Sequence, residues 1–202
     1  MDVVYKTGHE ALEQFHAGNR RFREGARKVR NFQPHELADI AQVQQPSAGV
    51  IACSDSRLNV DTILDQPLGT LFTSRLPGNV AADSSLWMVD IAISEFKVPL
   101  VLVLGHTGCL AVKQLLGGDS GGPGGIYRHH ISEAVQLAKF DQHEDLLTRA
   151  VERNTLLTMD RLTRESEALR RAMANGNTVL AGAIYEMETG TVRMLDVRDA
   201  LA

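Results

Sequence analysis

Cysteine is scarce in this chain, and so are the features that direct a protein to a membrane or out of the cell. Only Cys53 and Cys109 occur among the 202 residues, and segment 1–10 has neither a basic region nor a long apolar run. No stretch approaches the roughly 20 apolar residues of a membrane span. The net charge of −4 provides no electrostatic footprint for nucleic acid or for an anionic membrane. We therefore expect a cytoplasmic protein with no nucleic-acid or membrane partner, whose cysteines do not form a secretory disulfide.

The order of apolar and periodic segments predicts an α/β fold with a central, mostly parallel β-sheet flanked by helices. Apolar runs predict buried strands at 48–53, 99–106 and 178–187, and 69–78 is predicted as a further strand that leads into a loop. A turn at 188–192 leads into an edge strand. Helical patterns follow a capping box at Thr7 and Glu10, and continue at 84–96, at 108–116 and in 128–174, with breaks near Asp141 and Thr158.

The chain is divided by composition into an arm and a domain. Residues 26–46 are polar and contain Pro34 and Pro46, so we interpret 1–47 as an N-terminal helical arm and 48–202 as one α/β domain. The glycine-rich segment 117–125 lacks the Lys-Ser/Thr pair of a phosphate-binding loop, which favours a linker.

Two of the predicted strands end in side chains that bind metals. Cys53 ends the first strand, and His106 and Cys109 follow the third. Because ligands collect at the carboxyl ends of parallel strands, these side chains are expected to lie together. Thiolate and imidazole ligands favour zinc. Two alternatives remain: unrelated buried thiols, and a Cys53 nucleophile paired with a histidine, which leaves Cys109 without a role.

The segment CSDSR at 53–57, followed by HTGC at 106–109, resembles the β-class carbonic anhydrases. The similarity extends to ALEQFHAGNRRF at 11–22, RLPGN at 75–79 and VLAGAIYEMETGTV at 179–192, and so covers most of the chain. The resemblance implies a zinc lyase, carbonate dehydratase, that catalyses the reversible hydration of carbon dioxide to bicarbonate and a proton.

The same resemblance implies roles for the metal-site residues. Cys53, His106 and Cys109 would be the zinc ligands, and residues 48–202 a zinc-binding domain. Asp55 would be either a fourth ligand or, when paired with Arg57, the hydrogen-bond acceptor that orients the attacking water. The guanidinium fork of Arg57 suits a carboxylate that must stay ionised and off the metal. The alternative is that both residues cap the following helix.

Further residues are implied as substrate contacts. Gln44 would hydrogen-bond the substrate from an arm that reaches the neighbouring subunit, which implies a homodimer or a dimer of dimers. Phe72 would line the pocket. The alternatives are that Gln44 is a surface residue of a loop and that Phe72 belongs to the core.

Two positions depart from the family pattern. Leu110 replaces the glycine that usually follows the second cysteine, and Trp87-Met88 replaces a Glu-Tyr pair whose tyrosine lines the substrate tunnel. Both changes predict a narrower and less polar pocket at Leu110 and Met88. They leave open the hydrolysis of carbonyl sulfide or carbon disulfide, and a catalytically silent homologue stabilised by zinc. His129 and His130 are interpreted as exposed residues at a helix start, with a metal or proton-transfer role as the alternative.

Overall fold

The computed structural model describes residues 5–28, 34–118, 124–141 and 143–199. Within these ranges one sheet has the strand order β2-β1-β3-β4-β5. The strands are β1 (Ala48–Cys53), β2 (Leu71–Leu76), β3 (Leu100–His106), β4 (Val179–Glu186) and β5 (Thr191–Arg198). The first four are mutually parallel, and β5 runs antiparallel to β4. The predicted central, mostly parallel sheet is confirmed.

Helices cover both faces of this sheet. The helices are α1 (Gly8–Arg23), α2 (Pro34–Gln42), α3 (Val60–Ile63), α4 (Asp83–Ser94), α5 (Leu110–Leu116), α6 (Gly125–Phe140), α7 (Leu146–Glu165) and α8 (Glu167–Ala174). A 3₁₀ turn at Pro77–Asn79, called the 77–79 turn below, follows β2 directly. Within the described ranges, no helix combines the length and the hydropathy that crossing a membrane requires.

The core consists of two hydrophobic clusters, and neighbouring residues of one strand belong to different clusters. Leu102 belongs to the cluster that contains Phe15 of α1, whereas Val103 belongs to the cluster that contains Val89 of α4 and Leu162 of α7. Successive side chains of a strand point to opposite faces of the sheet, so these two residues contact different layers of helices. Strands β1 and β3 are buried along their whole length, as their unbroken apolar sequences predict.

Helix α1 packs on the sheet of its own chain. The side chain of Thr7 caps it by accepting from the Glu10 N–H at 3.1 Å, which confirms the helix start predicted from the sequence. The Asn19 amide donates to the carbonyls of Ile63 at 3.2 Å and Gly190 at 2.8 Å. These buried bonds join α1 to α3 and to the β4–β5 turn, so α1 is part of the domain core.

The helical region after residue 128 confirms one of the two predicted breaks. The break near Asp141 is confirmed, since α6 ends beside it. The break predicted near Thr158 is wrong, because α7 continues through this residue. The hydroxyl of Thr158 donates to the Asn79 carbonyl at 3.2 Å, so this β-branched residue makes a tertiary contact inside the helix. The helix ends instead at Ser166, whose Oγ accepts from the Leu169 N–H at 3.0 Å and caps α8.

Two interpretations from the sequence, the linker at 117–125 and the division at residue 48, stay predictions. Residues 119–123 of the glycine-rich segment lie outside the described residues, so the linker there stays a prediction. The boundary between an arm at 1–47 and a domain at 48–202 also stays a prediction.

Candidate metal centre

The carboxyl ends of β1 and β3 bring the predicted ligands together. These strands are direct neighbours, with Ala52 beside Leu104, so Cys53 and His106 emerge at the same edge of the sheet. Cys109 is the residue that precedes α5. One ligand atom from each of Cys53, His106 and Cys109 lies within 4.8 Å of the others. All three residues are buried, with exposed fractions of 4%, 0% and 1%.

His106 shows that this group fits a metal ion. Its Nδ1 lies 3.1 Å from the carbonyl of Thr107, an acceptor that places the ring proton on Nδ1. Its Nε2 is buried and has no hydrogen-bond partner among the described residues. A buried nitrogen lone pair without a partner is costly in a folded protein, and a cation between the three side chains satisfies it. Two thiolates and one imidazole are a donor set that zinc accepts.

The two thiols share their protons unequally. The pKa of Cys53 is lowered to about 4 because the Cys109 thiol donates to it, and the backbone N–H groups of Asp55 and Gly78 support the same thiolate. The pKa of Cys109 is raised by its bond to Cys53 and by burial. The sulfur atoms are 4.0 Å apart. A divalent cation bound here would favour the thiolate form of both residues.

Metal-binding side chains form no second centre in the part of the chain that the structure describes. The Cys53 group is the one set there in which three or more histidine, cysteine or acidic side chains converge. His129 and His130 contact each other edge to face, with ring centroids 5.7 Å apart, and do not belong to the Cys53 group. Burial and the nearby Arg161 lower the pKa of His130.

The carboxylate of Asp55 is paired with Arg57 rather than placed in the ligand group. Nε and Nη2 of Arg57 donate to the two carboxylate oxygens at 2.9 and 2.7 Å, and the Arg57 N–H donates to Oδ1 at 3.0 Å. These bonds hold the pKa of Asp55 well below its usual range. The arrangement matches one of the two alternatives for Asp55, and its entry into the metal coordination shell stays a prediction.

Two residues near Cys53 were not identified from the sequence. Arg75 donates to the carbonyl of Cys53 at 3.0 Å and to that of Asp55 at 2.5 Å, which fixes the chain after β1. Gly78 donates its N–H to the Cys53 sulfur at 3.3 Å. Both belong to the segment RLPGN, in which a glycine that directly follows proline was the available signal of a special turn.

A groove of about 390 Å³ opens beside the metal-binding group. Its walls are residues 53–57, Pro77, and Leu110, Ala111 and Gln114 of the α5 segment. Leu110 is 62% exposed at this groove, where the sequence predicts a narrowed pocket. Gln114 is a polar wall residue that the motifs did not indicate.

The other predicted substrate contacts lie away from this groove in their own chain. Gln44 is exposed in the segment between α2 and β1. The ring of Phe72 packs against Phe96 with centroids 5.3 Å apart. Met88 is 9% exposed and belongs to the cluster between α4 and the sheet. Their roles at the substrate stay predictions, and that of Gln44 requires a second chain.

Comparison with known proteins agrees with this geometry. The carbonic anhydrase family model matches residues 48–192. Carbonic anhydrase 2 of Mycobacterium tuberculosis is 32% identical over 184 residues, which cover 89% of this chain and 88% of that protein. The carbonic anhydrase of Mycolicibacterium smegmatis is 33% identical over 162 residues, 78% of each chain. A β-carbonic anhydrase crystal structure from Aspergillus fumigatus superposes with a TM-score of 0.71 at 30% identity, covering 84% of this chain and 83% of that one. This chain therefore belongs to the β-class carbonic anhydrase family.

Proposed function

We propose that this chain catalyses the zinc-dependent, reversible hydration of carbon dioxide to bicarbonate and a proton. The observation that carries the proposal is the buried Cys53–His106–Cys109 group, whose member Cys53 lines the same groove as Asp55. Zinc held by these three side chains would supply the Lewis acidity that makes water nucleophilic near neutral pH.

Asp55 and Arg57 orient the water in this proposal. An ionised carboxylate is a hydrogen-bond acceptor, so Asp55 accepts a hydrogen bond from the water. A lone pair of the water oxygen is then directed into the groove. The bidentate bond from Arg57 keeps the carboxylate ionised and fixes its direction. Positioning of this kind converts a bimolecular encounter into a reaction between pre-aligned groups.

The groove wall suits a small uncharged substrate. Pro77, Leu110 and Ala111 present apolar surface next to the polar residues 53–57. Carbon dioxide has no net charge and needs no counter-ion, whereas its product is an anion. The apolar wall also suits carbonyl sulfide, so the experiment below includes it.

We further propose a homodimer, or a dimer of dimers, in which the arm after α1 packs on the partner chain. Leu37 of α2 and Val43 beyond it are 48% and 62% exposed, and Trp87 of α4 is 70% exposed. Exposed apolar side chains in such numbers support an interface between chains. Gln44, which follows Val43 directly, would then reach the groove of the partner chain.

The test is stopped-flow hydration of carbon dioxide by the zinc-replete protein, with its metal content measured in parallel. We expect one zinc per chain and hydration well above the buffer rate. Asp55→Ala is expected to keep the zinc and to lose most of the rate, by a factor of about 100 or more. Absence of bound zinc, or full zinc with hydration at the buffer rate, would overturn the proposal. Faster release of hydrogen sulfide from carbonyl sulfide than hydration of carbon dioxide would replace it with the sulfur-substrate reaction.

A further inference from the structure

Helix α7 contacts the 77–79 turn through two buried side chains. The Asn154 amide donates to the carbonyl of Gly78 at 2.6 Å, and the Thr158 hydroxyl donates to the carbonyl of Asn79 at 3.2 Å. The two donors are four residues apart, on one face of the helix. Asn154 is 1% exposed and Thr158 is 4% exposed. Two successive carbonyls of the turn are therefore fixed by side chains of a helix distant in sequence.

The opposite side of the same turn faces the metal centre. Gly78 donates its N–H to the sulfur of Cys53 at 3.3 Å. Gly78 has a φ of +69° and Asn79 a φ of +46°, so both residues are left-handed. Glycine adopts this conformation freely and asparagine more readily than most residues, so the sequence permits the turn. The contacts with α7 fix the two carbonyls of the turn whose N–H is aimed at sulfur.

We propose that Asn154 and Thr158 are positioning residues for the Cys53 thiolate, because they hold the Gly78 N–H on its sulfur. A hydrogen bond to a thiolate withdraws electron density from sulfur and fixes its direction, so it changes how firmly that sulfur holds a metal and how strongly it donates to it. The clamp, defined as Asn154, Thr158 and the 77–79 turn, thus acts on the metal without touching it.

A purely structural role would satisfy two buried carbonyls and do nothing else. It predicts a loss of stability with unchanged properties of the bound metal. Matched controls separate the two roles. Thr155 is also buried in α7, but its hydroxyl donates to Val151 of the same helix at 3.0 Å. Asn19 is a buried amide that donates to two carbonyls, neither of which belongs to the 77–79 turn.

The experiment uses zinc-loaded protein and four variants. Zinc release into excess chelator is timed for Asn154→Ala and Thr158→Val, and for the controls Asn19→Ala and Thr155→Val. The thiolate-to-metal charge-transfer band of the cobalt-substituted proteins is recorded, with thermal unfolding as a measure of folding. We expect the two clamp variants to release zinc about 10-fold to 100-fold faster than wild type, because the sulfur of Cys53 loses its fixed direction. The band should shift to lower energy, because a sulfur that has lost a hydrogen bond is more electron-rich. Both controls should keep the wild-type release rate and band, whatever stability they lose.

Release rates and bands of the clamp variants that match those of the controls would overturn the inference. If Asn154→Ala does not fold, Thr158→Val against Thr155→Val decides the question, since this pair retains side-chain volume. The inference rests on Cys53 being a metal ligand, as proposed above. Failure of the wild-type protein to take up metal would overturn that proposal, whereas full zinc with equal release rates would overturn the clamp alone.

Discussion

Arg57 encloses the carboxylate of Asp55, which lies two positions earlier in the sequence. Both carboxylate oxygens accept from the guanidinium, at 2.9 and 2.7 Å, and the backbone N–H of Arg57 adds a third donor at 3.0 Å. The Asp55 side chain is 11% exposed, whereas that of Arg57 is 59% exposed. The carboxylate is therefore the shielded member of the pair, and the arginine lies on its solvent side.

Removal of Arg57 should separate the orientation of water from the binding of metal. We expect Arg57→Ala to retain zinc and to lower kcat/KM for hydration by about 100-fold, because Asp55 loses its fixed direction. Arg57→Lys should recover little, since a lysine cannot make the bidentate bond. Arg171→Ala, which removes an exposed arginine paired with Glu167, is the control and should be neutral. Stopped-flow rates and zinc content check this. A variant that loses zinc along with activity would contradict the assigned role.

Gly78 and Gly108 have nearly the same φ but different surroundings. Alanine substitutions at the two positions therefore distinguish backbone strain from a steric clash of the added methyl group. Their φ values are +69° and +68°, so alanine at either position should cost about 1–2 kcal/mol. A Cβ on Gly108 meets nothing within 4 Å, whereas on Gly78 it would lie 2.8 Å from Cδ1 of Ile131. Gly78→Ala should therefore destabilise the protein more than Gly108→Ala in urea unfolding at constant zinc.

The additional loss of stability expected for Gly78→Ala should be reduced by a second substitution at Ile131. Ile131→Val deletes the Cδ1 atom that the new methyl group would meet. We expect Ile131→Val to restore part of the stability lost by Gly78→Ala, and to do nothing favourable in the Gly108→Ala background. A double-mutant cycle measures this coupling. Additive effects in both backgrounds would show that the methyl group is accommodated in another way.

Leu110 tests whether the narrowed groove limits the reaction. Its exposed side chain forms part of the groove wall directly after Cys109. We expect Leu110→Gly to raise kcat/KM for carbon dioxide several-fold, because the wall recedes from the metal. Leu110→Ala should act in the same direction, and it removes the bulk without glycine's cost in helix stability. Unchanged or lower rates for both variants, with normal zinc, would mean that the leucine does not obstruct the substrate.

The sequence predicts the grouping of Cys53, His106 and Cys109 because two of these residues lie at strand ends. Cys53 and His106 terminate apolar runs that are buried in full, and parallel strands place such ends at one edge. The partners of these residues are harder to predict. The bond between Asn154 and Gly78 joins positions 76 residues apart, and no local pattern specifies such a pair.

Thr158 and Met88 show two further limits. A helix break was predicted near this threonine, but α7 continues through it and its hydroxyl bonds to the carbonyl of Asn79. Met88 packs on the sheet face that α4 covers, away from the groove of its own chain. The resemblance that implied a place for Met88 at the pocket thus did not specify its packing in this chain.

The exposed apolar side chains of the arm predict an interface. We expect Leu37→Asp with Val43→Asp to shift the protein towards monomer in analytical ultracentrifugation, because charge at both positions opposes burial against a second chain. Activity per chain should fall as well if Gln44 serves the partner's groove. Gln136→Asp, which adds a charge at an exposed polar position of α6, is the control and should leave the mass unchanged. A mass unchanged in the double variant would remove the arm from the interface.

Asp141 provides a pH-dependent contribution to stability. It accepts from Arg153 at 2.6 Å and from Arg149 at 2.7 Å, and the bonds to Arg153 and then to Arg149 lower its pKa from 3.8 to about 2. A carboxyl whose pKa is depressed by folding stabilises the folded state above its unfolded pKa, and that contribution is lost as the pH falls through the folded value. Wild type should therefore unfold at a higher temperature than Asp141→Asn at neutral pH.

The difference between the two melting temperatures is the quantity to measure. It should stay constant above about pH 5, shrink as the pH falls towards about 2, and vanish only below that value, because wild-type Asp141 is half protonated at its folded pKa and resembles the neutral amide only when fully protonated. Loss of metal in acid affects both proteins alike and cancels in the difference. A gap that persists unchanged at the lowest pH would show that Asp141 stabilises this region through packing rather than through its charge.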